Sequence, residues 1–111
     1  MTNQWTIETV MEGMPSAFLP EKAGDLAAEV QFHLEGEGGG DWLLSIREGA
    51  CSVKRGTSGA ARLTLKALAS DYLAIVTGKQ DAMSAFAQGK IKLKGDLALA
   101  MKLLGFFKLP T

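Results

Sequence analysis

The sequence is poor in the residues that build metal centres and disulfide frameworks. It contains one cysteine, Cys51, and one histidine, His33, among 111 residues. A single cysteine cannot form an internal disulfide, and it indicates a reducing, cytoplasmic setting. One histidine and one distant cysteine lack the clustered spacing of a zinc site. We therefore predict neither a bound metal nor a cofactor.

Long apolar runs and an excess of basic residues are also missing. No uninterrupted apolar stretch reaches the roughly 18 residues of a membrane span. Residues 1–5 lack the basic and apolar regions of a signal peptide, and residues 109–111 are not a peroxisomal address. The net charge of zero argues against a nucleic-acid partner. We expect a cytoplasmic protein that does not bind nucleic acid.

Charge is unevenly distributed along the chain. Residues 1–48 hold nine acidic and two basic residues, whereas residues 49–111 hold ten basic and three acidic residues. The composition, 47% apolar and 22% charged, is ordinary for a globular protein. We expect one domain over residues 1–111, because a chain of this length can bury its own core. The C-terminal half can present a local basic surface.

A period of two in hydrophobicity predicts five strands. Apolar and polar residues alternate over residues 28–35, 42–47, 51–54 and 62–66, with glycine-containing turns between them, and again over 90–94. Leu43 is the one exception to the alternation. Four strands joined by short turns predict an antiparallel meander, apolar on one face and solvated on the other.

The remaining segments have helical spacing and are expected to cover the apolar face. An N-terminal helix runs through Ile7 and Met14, and Gly13 with Pro15 should end or bend it. Two short helices are predicted over residues 70–77 and 82–88. A last helix starts at Leu97 and is apolar nearly all round, so it is either buried on several sides or contacts a ligand, membrane or partner.

Catalytic chemistry is nearly absent from the predicted apolar face. The alternation places His33 on the solvated face, out of reach of an apolar ligand. Cys51 points inward, where a cysteine without a basic neighbour is an inert small hydrophobe. The sequence shows no legible nucleophilic triad. We therefore predict that the chain is not an enzyme.

The segment Met83–Asp96 resembles the sterol carrier protein 2 family. The shared pattern is a phenylalanine, a Gly-Lys pair, alternating apolar residues and lysines, and a Gly-Asp pair that opens an apolar helix. Three further segments carry the resemblance over about residues 18–109: Phe18–Ala23, Trp42 with Glu48-Gly49, and Ser70-Asp71-Tyr72 with Thr77-Gly78-Lys79.

The resemblance implies an α+β fold, in which about four helices cover one face of a five-stranded, mostly antiparallel sheet. It also implies an apolar tunnel between the layers that binds fatty acids, acyl-CoA, sterols or phospholipids. The expected apolar lining is Phe32, Leu34, Leu44, Ile46, Leu73, Val76, Phe86, Ile91, Leu93, Leu99, Leu103 and Phe106. The last helix would close over a ligand or sink into its place, and Gly105 would let its end shift.

Two interpretations apply to the lysines of the last predicted strand, Lys90, Lys92 and Lys94. Lys90 and Lys94 are candidate contacts for an anionic head group or for a membrane surface in transient contact. All three lysines are equally explained as the solvated positions of an edge strand, where lysine prevents aggregation.

Two other classes of function stay open at this point. One is an accessory module in lipid or quinone metabolism, whose apolar C-terminal helix docks on an enzyme partner or forms a homodimer. The other is a small enzyme on an open sheet, for which Cys51 is the only inward-facing candidate nucleophile on the strands.

Overall fold

A computed structural model describes residues 6–107 of the chain. Within this range the chain forms five strands, five α-helices and a final 3₁₀ turn. In chain order these are α1 (Ile7–Ala17), α2 (Pro20–Ala23), β1 (Ala28–Glu35), β2 (Gly40–Arg47), β3 (Ala50–Arg55), β4 (Leu63–Leu68), α3 (Ala69–Val76), α4 (Ala82–Ala87), β5 (Ile91–Gly95), α5 (Leu97–Leu103) and the 3₁₀ turn (Leu104–Phe106).

The strands form one sheet in the order β3-β2-β1-β4-β5. Three of the four neighbouring pairs are antiparallel, but β1 and β4 are parallel. The predicted four-strand meander is therefore wrong at its last step. It ends at β3, and the chain then crosses the sheet to place β4 on the far side of β1. A hairpin turn would place β4 antiparallel beside β3, but residues 56–62 instead connect two strands that are not neighbours.

A buried glutamine holds this crossover on the outer face of the sheet. The Gln31 Nε2 donates to the carbonyl oxygens of Trp42 and Gly56 at 3.0 and 2.9 Å, and its Oε1 accepts from the Ser58 N–H at 2.8 Å. Leu43 lies opposite Gln31 in the β1–β2 register, and both side chains are buried. Leu43 breaks the alternation because this part of the outer face is covered.

Helix α1 begins at a capping box, in which the Thr6 and Thr9 side chains each accept from the other's backbone N–H. Its apolar stripe, including Ile7 and Met11, is buried. The helix continues through Gly13 and Pro15 to Ala17. The helix was expected to end or bend at these residues, and an end there is wrong. Pro15 has a φ that the helix accepts, and the helix ends two residues later, at Ala17. A bend stays a prediction.

The two halves of the sheet are covered differently. Helices α1 and α3 pack on β1, β3 and β4, and we call this region the closed half. Phe32 of β1 and Tyr72 of α3 meet there edge to face, with ring centroids 5.4 Å apart. Helices α4 and α5 pack on β5 and on the adjoining side of β4, and we call this region the open half.

The turn between β5 and α5 fixes the position of the last helix. Gly95 has φ +110°, and a Cβ there would lie 2.3 Å from the Arg62 carbonyl oxygen. The next residue, Asp96, donates its N–H to the same carbonyl at 2.8 Å, and its Oδ1 accepts from the Leu99 N–H at 3.0 Å. Its Oδ2 bonds the Arg62 guanidinium at 2.6 Å. The turn therefore ties the start of α5 to the chain just before β4.

Candidate functional site

An apolar cavity of about 180 Å³ lies in the open half. Its floor is the inner face of β4 and β5, and its walls are α4 and α5. All lining residues are apolar: Leu63, Leu65, Ala82, Met83, Phe86, Ile91, Leu93, Leu97, Ala100, Met101 and Leu103. Among the described residues, no titratable group lines the cavity. This arrangement can hold an apolar group but offers nothing for acid–base or nucleophilic chemistry.

The cavity is open to solvent between the two helices. Four of its lining side chains remain substantially exposed: Met83 at 63%, Phe86 at 45%, Leu97 at 51% and Met101 at 76%. By contrast, Leu63 and Leu103 are buried at its base. Of the two alternatives that the sequence left open for the last helix, burial on several sides is therefore wrong. Helix α5 is short and lies at the edge of the sheet, so only one of its faces reaches the core.

Local sequence signals position the two walls. Helix α4 begins at Asp81, whose carboxylate accepts from the Ser84 N–H at 2.9 Å, and Gly89 with φ +79° follows its end. The far end of the α5 region is anchored to the N-terminal segment. There the Leu19 N–H donates to the Phe106 carbonyl at 2.7 Å, and the rings of Phe18 and Phe107 lie 5.5 Å apart.

The predicted lining residues divide between the cavity and the core. Phe86, Ile91, Leu93 and Leu103 lie at the cavity. Another seven are buried in the core, and one, Leu73, packs against it partly buried. The seven are Phe32, Leu34, Leu44, Ile46, Val76, Leu99 and Phe106. Their contact with a ligand stays a prediction.

Sequence reasoning missed seven residues of this cavity. Two of them, Leu63 and Leu65, belong to the apolar face of the strand predicted over residues 62–66 but not to the predicted lining. The other five lie on the two helices and are likewise outside the predicted lining: Ala82, Met83, Leu97, Ala100 and Met101. The available signal was the helical spacing of Met83 and Phe86, together with the nearly uninterrupted apolar character of α5.

The predicted head-group lysines lie outside the apolar cavity. Because Ile91 and Leu93 face inward, Lys92 and Lys94 project from the opposite face of β5. Lys90 lines a second, polar depression of about 300 Å³, with Lys66 and Lys92 as the other bases and Glu35 and Asp71 as the acids. Lys66 Nζ lies 3.4 Å from the Glu35 carboxylate.

The other candidate reactive groups are remote from the cavity or poorly suited to reaction. His33 lies on the solvated face, where its Nδ1 is 2.8 Å from the Asp41 carboxylate. Cys51 is half-buried, and this burial raises the pKa of its thiol to about 11. Burial also raises the pKa of Tyr72 above its ordinary value. At neutral pH the Cys51 thiol is therefore protonated and a poor nucleophile.

Residues 6–107, which the structure describes, lack two further features. No group of three or more His, Cys, Asp or Glu side chains there could hold a metal ion. Within the same residues, no helix combines the length and the apolar character needed to cross a bilayer.

Residues 7–108 match the family described as the SCP-2 sterol transfer family. The chain belongs to this family. The resemblance found in the sequence and the α+β fold it implied are confirmed. Membership supports the binding and transfer of sterols or other lipids.

The relatives of the chain include a much longer protein and a chain of similar length. Sterol carrier protein 2 of Homo sapiens is 36% identical over 99 residues, covering 87% of this chain and 18% of that protein. The chain therefore spans less than a fifth of the length of this curated relative. The solution structure of palmitated SCP2L2 from Aedes aegypti has a TM-score of 0.76 and 26% identity, covering 91% of this chain and 93% of that one.

A third similarity concerns the fold alone. The sec-alkylsulfatase Pisa1 from Pseudomonas sp. superposes with a TM-score of 0.83 at 21% identity. The match covers 96% of this chain but only 17% of the sulfatase chain. The same fold therefore also occurs as one part of a much larger enzyme chain.

Proposed function

We propose that this chain is a cytoplasmic, non-enzymatic carrier that takes up the hydrocarbon part of a lipid in the cavity of the open half. The observation that carries the proposal is that every lining residue of this solvent-open cavity is apolar. Apolar cavities of roughly 150 Å³ bind a benzene-sized group. The cavity therefore matches a segment of an acyl chain or one end of a sterol.

The energy of such binding scales with buried methylene groups. Each contributes about 0.8 kcal/mol, so an acyl chain needs no specific polar contact to be held. We expect affinity to rise about 15-fold for each two methylenes added, as long as the added carbons remain inside. A fatty acid of full length exceeds a volume of 180 Å³. The rest of the chain would extend towards the core.

The part of the acyl chain that does not fit in the cavity would occupy the predicted tunnel. Leu99 and Leu103 of α5 are buried, and Leu103 also lines the cavity. Helix α5 is held at Asp96 on one side and at Phe106 on the other. An outward shift of its seven residues between these two anchors would open the predicted deeper lining, which includes Phe32, Val76 and Phe106. We propose that α5 serves as the lid of the site.

Head-group contact by Lys90 and Lys94 is the less supported part of the proposal. Both lysines are exposed, but neither lines the cavity: Lys90 precedes β5, and Lys94 lies on the face of β5 opposite the cavity. Reversing both charges should weaken the binding of acyl-CoA and leave the binding of an uncharged sterol unchanged. Unchanged affinity for acyl-CoA would contradict the assignment.

The cavity itself can be tested by filling it. Ala100 and Ala98 lie on the same helix, but only Ala100 lines the cavity, and Ala98 is exposed. We expect Ala100→Phe to lower the affinity for a fluorescent fatty acid at least tenfold, whereas Ala98→Phe should leave it unchanged. Circular dichroism checks that both variants fold. Equal affinities in the two variants would remove the cavity from the proposal.

Native mass spectrometry followed by solvent extraction identifies the ligand class. We expect lipid to co-purify at about one molecule per chain. A ligand-free mass with no uptake of fatty acid, sterol or acyl-CoA would contradict the carrier function. In that case the docking of α5 on a partner would be the better account. The enzyme alternative requires that Cys51→Ala abolish a measurable turnover.

A further inference from the structure

We infer that the indole N–H of Trp42 and the guanidinium of Arg55 bind the carboxylate of a long-chain fatty acid. The inference rests on the proposed carrier function and adds the class of ligand and the residues that select it. It places the polar end of the ligand in the closed half, while the apolar end lies in the cavity of the open half.

The indole nitrogen of Trp42 is a buried donor without an acceptor. Trp42 is 3% exposed, and among the described residues its Nε1 is the one buried side-chain nitrogen or oxygen that lacks a hydrogen-bond partner. A buried donor that stays unpaired costs free energy, and nearly all such groups in native proteins are paired. Because an indole N–H can only donate, the group that completes it must offer an acceptor oxygen.

Gly40 leaves space beside this nitrogen. A Cβ on Gly40 would lie 3.6 Å from Nε1 of Trp42 and 3.6 Å from Nη1 of Arg55, and no other residue comes as close to it. Two N–H groups therefore border the space that a side chain at residue 40 would occupy. A carboxylate has two acceptor oxygens and can accept from both donors, whereas a hydroxyl has only one oxygen.

Arg55 adds a positively charged donor to the site. Its guanidinium carbon lies 4.4 Å from the centre of the Trp42 ring, and its Nη2 donates to the Glu8 carboxylate at 2.8 Å. These two contacts hold the guanidinium beside the indole with Nη1 on the side of Gly40. A guanidinium has five N–H groups, so it can bind a second carboxylate while it keeps the first.

One row of side chains connects this site with the cavity. The strand registers align five residues across the whole sheet: Arg55, Trp42, Phe32, Leu65 and Leu93. The last two form the floor of the cavity. Neighbouring strands lie about 4.8 Å apart, so the three steps from β2 to β5 separate Trp42 from Leu93 by roughly 14 Å. The row therefore joins an apolar end to a polar end.

The length of the row selects the length of the acid. An extended chain gains about 3.5 Å over three backbone bonds, so each carbon–carbon bond adds roughly 1.2 Å and an acid of about 12 carbons spans the row. The Phe32 ring is covered by Tyr72 in this structure. The acyl chain can lie along the row only after this cover has moved away from the sheet.

Two ligands with the same tail test the site. Dodecanoate and 1-dodecanol differ only in the polar end, and displacement of Nile red, an uncharged dye, measures both affinities. Trp42→Phe keeps an aromatic ring but lacks the N–H. We expect it to weaken dodecanoate binding at least tenfold and to change 1-dodecanol binding less than twofold. Arg55→Gln should weaken dodecanoate binding about threefold. The matched control is Arg47→Gln, an exposed arginine at the other end of β2, which should change neither affinity.

Glu8→Gln should have the opposite effect. It removes the carboxylate that shares Arg55 and repels a second carboxylate, so dodecanoate should bind about two- to threefold more tightly. The affinity for 1-dodecanol should not change. If the pair of Arg55 and Glu8 only stabilises the fold, Glu8→Gln would instead leave dodecanoate binding unchanged or weaken it, which would contradict the inference.

The indole proton reports the hydrogen bond directly. The sequence contains two tryptophans, so a protein labelled with nitrogen-15 tryptophan gives two indole signals, and Trp42→Phe identifies the one from residue 42. Dodecanoate should shift this proton to higher frequency, as a charge-assisted hydrogen bond does, and 1-dodecanol should shift it less. An unshifted proton, or equal losses of affinity for the two ligands in Trp42→Phe, would overturn the inference, because Trp42 would then act only by packing. If circular dichroism shows that Trp42→Phe does not fold, 3-benzothienylalanine at residue 42 replaces the N–H by sulfur in a ring of the same shape.

Ala100→Phe separates this inference from the proposed function. If it weakens dodecanoate binding while Trp42→Phe affects acid and alcohol equally, the carboxylate site is wrong and the cavity stands as the site of the tail. If dodecanoate shifts the Trp42 indole proton while Ala100→Phe leaves the affinity unchanged, the carboxylate site stands and the cavity is not the site of the tail. Failure of the wild-type protein to bind dodecanoate at all would contradict both.

Discussion

The closed and open halves of the sheet have the same kind of inner face but different covers. In the closed half, Phe32 and Val30 are completely buried under α1 and α3. In the open half, Leu65 and Leu93 form the floor of a cavity whose walls leave Phe86 and other apolar side chains in solvent. An alternating strand therefore specifies which face is apolar, but the packing of the covering helices decides whether that face becomes core or binding site.

Two phenylalanine-to-alanine variants give the strongest test of this contrast. Phe32→Ala removes a fully buried ring and its edge-to-face contact with Tyr72, so it should cost about 3–5 kcal/mol of unfolding free energy. Phe86→Ala removes a ring that is 45% exposed, so it should cost about 1 kcal/mol or less while weakening lipid binding. Urea denaturation measures the first quantity, and fluorescent fatty-acid titration measures the second.

Similar losses of unfolding free energy in Phe32→Ala and Phe86→Ala would contradict the difference between the closed and open halves. Equal losses would mean that Phe86 is part of the folded core, and the open half would then be closed in solution. A stable Phe32→Ala protein with reduced ligand affinity would instead place Phe32 in the tunnel that the sequence predicts.

A smaller effect is expected at the turn that positions α5. Gly95→Ala would place a Cβ 2.3 Å from the Arg62 carbonyl in a residue with φ +110°, so the turn must distort. We expect a loss of about 1–3 kcal/mol in urea denaturation, together with altered lipid affinity. The control is Gly13→Ala in α1, where nothing lies within 4 Å of the added Cβ, and it should be stabilising by about 0.5–1 kcal/mol. A Gly95→Ala protein of normal stability would show that α5 does not depend on this turn.

The same contrast explains which features were predictable from the sequence. The strands and their inward residues followed from alternation, because pleating places successive side chains on opposite faces. The parallel neighbour of β1 did not follow, since alternation carries no information about which strand lies alongside. The crossover covers the outer face at Leu43 and Gln31. In the sequence, Leu43 is an exception to the alternation without a visible cause, and Gln31 is an ordinary polar position of a strand. At the site, the helical period identified Phe86 but not the exposure of Met83 and Met101, because periodicity does not tell how far two covering helices stand apart.

The smallest effect expected is a pH dependence of the unfolding free energy that comes from Asp96, the residue that holds the start of α5 in the open half. The Leu99 N–H and then the Arg62 guanidinium favour the charged carboxylate of Asp96, so its pKa lies below the ordinary 3.8. A depressed carboxyl pKa adds stability that is present above the unfolded pKa and is lost as pH falls through the folded pKa. Asp96→Asn removes this contribution, so the stability difference between the two proteins should be constant near neutral pH and shrink below about pH 4.

Urea midpoints measured from neutral to acidic pH test this expectation, and two arginine variants refine it. Arg62→Gln should reduce the pH dependence of the stability difference between the wild-type protein and Asp96→Asn, because it removes the second cause of the lowered Asp96 pKa. Arg55→Gln should not, because Arg55 pairs with Glu8 at 2.8 Å in the closed half. A difference between the wild-type protein and Asp96→Asn that stays constant with pH would mean that Asp96 acts only as an uncharged cap. The lid would then be anchored by hydrogen bonds alone, and acid should not loosen it more than it loosens the closed half.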